Sequence, residues 1–304
     1  MNKIKKSPVG PILIIVAAIL WALDGIIRRN LYSLPPISII FFEHIIGLVI
    51  LLPFAYKYLF KEKIGKREWF LLFVIALLSG LLGTLWFTTA LLKVHFISFS
   101  VVFLLQKLQP LFAISSARVF LKEKISIQYI PWAMLALLSA YFVTFKDGVI
   151  NMDTGEGTVI AALYALGASF AWGTSTTFSK MLLNKVHTKV ATFYRFLFTC
   201  IMAFVVILFT QKFSMITLPT IPQWGLFVLI ALSTGMVALY IYYKGLSKTP
   251  VHISTILELA FPFIAILIDM KLYNSYLSVS QWIATVVLVY SIYRVVKLQN
   301  SYVN

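Results

Sequence analysis

Charge is what this chain of 304 residues has least of. Asp, Glu, Lys and Arg make up 12% of it, about half the share (~25%) of a soluble domain. So few charged side chains cannot cover a water-facing surface, which excludes a soluble globular protein. Cysteine is almost absent. The single Cys200 lies in an apolar run, so no intrachain disulfide forms. The four histidines, His44, His95, His187 and His252, are scattered without metal-ligand spacing. No Gly-x-Ser-x-Gly, His-Glu-x-x-His or phosphate-binding glycine loop occurs. The chain is therefore expected to hold no metal, and not to be an enzyme or an ATP-driven pump. The alternative class, an integral-membrane enzyme acting on a lipid or lipid-linked substrate, would need such a motif.

What is present is apolar length. Hydrophobic residues make up 61% of the chain, and its mean hydropathy is +0.92. They fall in runs such as Val9 to Ile27, Ile37 to Tyr56 and Phe70 to Leu92. About 20 apolar residues cross a bilayer core as a helix. Barrel strands would instead alternate over about ten residues. The runs place helical spans at 9–27, 37–56, 69–91, 97–120, 128–145, 158–182, 190–210, 224–244, 251–270 and 279–296. The fold class is all-α integral membrane, with the lipid bilayer as solvent. The net charge of +16 then reflects retention on one face and not a nucleic-acid partner. With the N-terminus inside, eighteen Lys and Arg flank the inner face (such as Lys57, Lys61, Arg118 and Lys185). Six flank the outer face (Arg28, Arg29, Lys93, Lys146, Lys212 and Lys271). Both termini are thus expected in the cytoplasm of an inner-membrane protein, with Asp153 and Glu156 outside. The first run, after Lys3, Lys5 and Lys6, is read as an uncleaved span.

The chain repeats itself. Trp21-Ala22 is answered by Trp172-Gly173, and Arg29 by Lys180. Phe42-Glu43-His44 is answered by Phe193-Tyr194-Arg195. Trp69 and Gly80 meet Trp224 and Gly235; Leu105-Gln106 and Pro110 meet Leu257-Glu258 and Pro262. The repeat units are 1–148 and 149–304, together one membrane domain of ten transmembrane helices as two inverted five-helix repeats. Five spans return the chain to the opposite face, so the second copy enters upside down. Secondary transporters are built this way, with solute bound near the midplane between copies.

On these motifs the sequence resembles the drug/metabolite transporter superfamily, and within it the EamA-like ten-helix transporters. The marks are Trp21-Ala22, Trp172-Gly173, Arg195, Leu108 to Phe112 before Lys122-Glu123-Lys124, and Phe261-Pro262-Phe263. His44 stands where the first copy often has Arg, and the second copy has Lys271 to Tyr276 in place of the Glu after its fourth span. The resemblance implies a carrier of amino acids, amines, metabolites or drugs with no cofactor.

An ionisable group at mid-bilayer is unfavourable by roughly 2.5–3.5 kcal/mol, so it is functional or paired. Glu258 and its repeat mate Gln106 are expected to face a central cavity or to bond one helix to another. Glu43 and His44 form a candidate proton-coupling pair; equally, Glu43 pairs with Lys107 or Arg195. Those two cations are also candidates for a solute carboxylate. Asp24 and Asp269 sit near span ends, where water reaches them. Trp21, Trp86, Trp172, Tyr240 and Tyr243 lie inside spans, and Trp21 shares a face with Asp24. A ring beside a carboxylate suits an ammonium; packing is the plainer role. Gly80, Gly83, Gly167, Gly173 and Gly235 are expected at close helix contacts. The expected partner is a small polar solute, an amino acid or amine, moved by alternating access with a proton as the coupling ion. A monomer and a homodimer both fit.

Overall fold

The computed structural model describes residues 8–93, 101–150, 158–210, 218–273 and 276–301. Lys3, Lys5, Lys6, His95, residues 97–100 of the expected fourth span, Asp153, Glu156 and Lys212 lie outside the described residues, as do the side chains of Arg29 and Asp269. Ten helical spans are present among the described residues. The first copy holds α1 (Val9–Arg29), α2 (Pro36–Leu59), α3 (Lys66–Ile75) running on into α4 (Thr84–Lys93), α5 (Val101–Gln106) with α6 (Gln109–Ser116), and α7 (Tyr129–Thr144). The second holds α8 (Thr158–Leu183), α9 (Thr188–Phe209), α10 (Ile221–Leu232) with α11 (Met236–Leu246), α12 (Val251–Leu257) with α13 (Ala260–Tyr273), and α14 (Val279–Ser301). Seven of these spans are long and apolar enough to cross a bilayer unaided; Tyr129–Thr144 and Val251–Ala265 are shorter apolar helices. Large apolar side chains such as Val49, Phe54, Leu163 and Phe209 stand exposed on the outside, as a lipid-facing surface requires.

Several expected continuous helices are broken, and at equivalent places in the two copies. Spans 4 and 9 turn at Lys107–Leu108 and Glu258–Leu259. The cause is Pro110 and Pro262: neither has an N–H for the carbonyl four residues back, on Gln106 and Glu258. The chain closes tighter turns instead, Leu108 N–H to Leu105 O (3.1 Å) and Phe261 N–H to Glu258 O (3.0 Å). Spans 3 and 8 distort at the glycines. A π-helical stretch, Ala76–Gly83, joins α3 to α4. α10 stops at Leu232, and Gly235 takes φ −90°, ψ −100° before α11 begins.

The copies are interleaved and do not lie side by side. α1 packs on α11, α12 and α13 of the second copy, while α8 packs on α4, α5 and α6 of the first. α2 lies against α9, and α7 against α14. Small residues permit this close approach. Gly10 and Gly245 bring α1 and α11 together: a side chain on Gly245 would stand 2.8 Å from the Gly10 carbonyl. α8 presents Ala161, Ala165, Ala168, Ala171 and Gly173 to the first copy's broken span. A methyl on Gly173 would sit 2.6 Å from the Gln109 carbonyl.

Candidate functional site

The breaks surround a cavity of about 360 Å³ lined by α1, α2, α4–α6, α8, α9, α11–α13 and the span-8 break at Thr234–Gly235. Its walls carry two matched aromatic pairs. Trp21 lies 5.0 Å from Tyr242 with ring planes at 52°, and Trp172 lies 5.2 Å from Phe87 at 57°. Trp21 and Trp172 are repeat mates; so are Phe87 and Tyr242, at the offset that relates Gly80 to Gly235. In the π-helical stretch the Ser79 carbonyl accepts from the Thr84 hydroxyl and from the Trp172 indole, both at 3.2 Å, which fixes that ring.

One wall is ionic. Arg28 donates to both oxygens of Asp24 (2.6 and 3.2 Å) and to Glu43 at 2.8 Å. Thr234, from the break in span 8, donates to Asp24 at 2.5 Å. The three charged side chains are 12%, 22% and 8% exposed for Arg28, Asp24 and Glu43. Such pairing lets charges persist away from water. The expected partner of Glu43 was Lys107 or Arg195; it is Arg28, four residues from Asp24 on α1, where one helical turn brings the two together. His44 donates from Nδ1 to the Ile40 carbonyl at 2.8 Å and lies on Phe196, with ring centroids 4.7 Å apart.

A second part of the lining is built from hydroxyls. Arg195 donates to Tyr243 Oη at 3.0 Å and to Ser79 Oγ, and Ser179 bonds the same tyrosine at 3.1 Å. Glu258 accepts from Tyr242 Oη at 2.6 Å and from Gln109 Nε2 at 3.2 Å; both partners are neutral. Lys107, in the break of span 4, rests over the Phe261 ring at 5.3 Å. Its expected pairing with Glu43 is not made, because Arg28 already occupies that carboxylate.

Ten of the sequence-derived candidates line the cavity: Trp21, Asp24, Glu43, His44, Gln106, Lys107, Trp172, Arg195, Tyr243 and Glu258. Trp86 and Tyr240 do not. Trp86 packs beside Gly167 of α8, 3.0 Å from where a methyl there would stand. Tyr240 is two residues from Tyr242, about 200° around the helix, which turns it from the cavity. The lining residues that sequence reasoning passed over include Arg28, Ser79, Gln109, Thr234 and Tyr242. Two were readable: Arg28 from its spacing to Asp24, and Tyr242 by carrying the repeat offset from Gly80 forward to Phe87.

At the end of the bundle where α8 and α11 finish, the copies are tied together. Lys122, in the left-handed conformation (φ 55°), turns Glu123 toward α12. Its carboxylate accepts from the backbone of Val251 (2.8 Å) and His252 (3.2 Å) and bonds the His252 ring at 2.6 Å. Burial pushes that carboxyl up, but the His252 side chain and the two backbone donors outweigh it and hold it below the ordinary range. Lys180 donates to the Leu246 and Ser247 carbonyls at 2.7 and 3.0 Å. At the other end the cavity continues to Tyr32 and Leu91.

Comparison with known proteins agrees with this architecture. The model of the EamA-like transporter family matches the chain twice, over residues 8–145 and 159–297. "Riboflavin transporter ImpX" of Fusobacterium nucleatum subsp. nucleatum is 36% identical over 292 residues, 95% of this chain and 98% of that one. An uncharacterized transporter of Synechocystis sp. is 25% identical over 68% of this chain and 59% of its own length. A solved crystal structure superposes with a TM-score of 0.78 at 16% identity, covering 98% of this chain and all of the other; that likeness is one of fold.

Proposed function

Because the chain belongs to the EamA-like transporter family, we propose that it carries riboflavin, or a close flavin relative, across the cell inner membrane by alternating access through the central cavity. The observation that carries this reading is the 36% identity, over almost the whole of both chains, to a protein named a riboflavin transporter. The cavity supports it. Its 360 Å³ falls in the range of sites for drug-sized ligands, roughly 300–1,000 Å³. The Trp21–Tyr242 and Trp172–Phe87 pairs offer ring faces to a flat tricycle. Ser175, Thr176 and Thr234 on the cavity wall suit a polyol tail.

An amino acid or amine is the competing solute. Its ammonium would need an available carboxylate, and Asp24, expected to share an aromatic cage with Trp21, is held by Arg28 and Thr234 while Trp21 packs on Tyr242. That weighs for the flavin. In the alternating cycle the moving bodies are the interleaved groups, α1 with α11–α13 against α8 with α4–α6, and not residues 1–148 against 149–304. The lysine and arginine bias supports cytoplasmic termini. A proton is the coupling ion in this reading, and Glu258 is its carrier, since its partners are neutral while Glu43 is committed to Arg28.

The test is uptake of riboflavin into proteoliposomes with and without a pH gradient, with choline and amino acids as competitors. Wild type is expected to show saturable uptake that rises with the gradient and resists both competitors. Glu258→Gln is expected to lose the response to the gradient while keeping its folded yield. Gradient-driven uptake of labelled choline or an amino acid, with no riboflavin uptake, would replace the flavin reading by the competing one.

A further inference from the structure

Two adjacent side chains on the cavity wall lack the partners their chemistry calls for. The Gln106 side-chain oxygen is buried and accepts no hydrogen bond. Lys107, next in sequence, has no hydrogen bond or ion pair among the described residues, only the Phe261 ring. Both line the cavity. They sit where Pro110 breaks span 4, so a rigid local distortion and not a mobile loop presents them. The other two cations of the cavity already make polar contacts, Arg28 with two carboxylates and Arg195 with Tyr243 and Ser79, although the Arg195 Nε itself has no partner. An ammonium inside a bilayer without an acceptor is costly, and so is a buried acceptor without a donor. A ligand bearing one acceptor and one donor side by side would satisfy both.

We propose that Gln106 and Lys107 form a recognition edge for an imide or lactam group on a neutral flat heterocycle, Lys107 donating to its carbonyl oxygen and the Gln106 side-chain oxygen accepting from its ring N–H. This rests on the flavin reading above and specifies it: the pyrimidinedione edge of the flavin ring, carbonyl–N3–H–carbonyl, is the end that docks at span 4. The second copy has no such edge, because the mates of Gln106 and Lys107 are Glu258 and Leu259. Glu258 is held on both oxygens by Tyr242 and Gln109. The ring is thereby given one orientation in a pseudo-symmetric cavity.

The experiment is titration of flavin fluorescence with purified protein, using riboflavin and its N3-methyl derivative, which keeps the carbonyls and removes the donor. In wild type, methylation is expected to weaken binding about tenfold or more, the size of a hydrogen bond whose buried acceptor is left unpaired. In Gln106→Ala, both flavins bind equally weakly. Lys107→Met weakens both by roughly tenfold to a hundredfold, and Lys107→Arg recovers most of the loss. The wild-type comparison of the two flavins needs no variant, so misfolding does not shelter the proposal. Equal affinity of wild type for both flavins overturns it, as does unchanged binding in a folded Lys107→Met, and either result leaves riboflavin as the solute. Absence of riboflavin binding in wild type overturns the flavin reading and this inference together.

Discussion

The two polar parts of the cavity lining occupy equivalent places in the two copies and are built from different chemistry. In the first copy Asp24, Arg28, Glu43 and His44 form a buried charged cluster. Their mates are Ser175, Ser179, Tyr194 and Arg195, where a lone guanidinium is held by hydroxyls. What packs is alike: the breaks at Pro110 and Pro262, and the Trp21–Tyr242 and Trp172–Phe87 pairs. The comparison teaches that the duplication preserves the elements that break and pack the spans, while the polar side chains lining the cavity have diverged. A symmetric scaffold with an asymmetric lining suits a carrier of an asymmetric solute.

The sharpest way to break that comparison is to remove the two arginines in turn. Arg28→Met leaves two carboxylates buried without a counter-ion and is expected to lose about 3–5 kcal/mol of stability. Arg195→Met leaves only hydroxyls and is expected to lose about 1–2 kcal/mol. Thermal unfolding in detergent reads both, and equal losses would erase the distinction.

A second test concerns the tie at Glu123, whose fourth-span mate in the second copy is not a carboxylate. Glu123→Gln weakens hydrogen bonds made to a charge, about 1–3 kcal/mol. The carboxyl is lowered in the folded chain, so its stabilisation is complete above the unfolded value, about pH 4.3, and is lost as pH falls through the folded one. Wild type should therefore lose melting temperature on acidification below about pH 4, and Glu123→Gln should lack that step. A step of equal size in the variant would assign it to another group.

The smallest effect sharpens the likeness between the copies. Trp21→Leu and Trp172→Leu each remove one ring of a matched pair, about 0.5–1.5 kcal/mol beyond lost area. The two melting-temperature losses should agree closely. A large difference would mean that the Trp172 bond to the Ser79 carbonyl dominates and that the pairs are not equivalent.

Much of this was legible in the sequence, for identifiable reasons. Apolar run lengths report spans because the bilayer thickness is fixed. The repeat is visible because Trp, Gly and Pro at distorted places are hard to replace. Glu258 and Gln106 stood out as polar groups in apolar runs. The ionic cluster was hidden: Arg28 reads as a flanking cation at the end of α1, and only the fold of α2 against the span-8 break brings Glu43 and Thr234 to it. Tyr240 and Tyr242 differ by two positions in one helix, and their opposite directions depend on where α11 restarts after Gly235, which apolar periodicity does not mark. The interleaving of the copies is likewise a property of packing that local sequence does not carry.

The central claim is that solute moves through the space between the copies. Ser175 lines it, and the single native thiol, Cys200, is buried. With Cys200→Ala removing that thiol, Ser175→Cys supplies one in the cavity for a maleimide in proteoliposomes. Riboflavin is expected to slow the labelling, and the labelled carrier is expected to transport none. Full-rate labelling in saturating riboflavin, followed by undiminished uptake, would contradict the account.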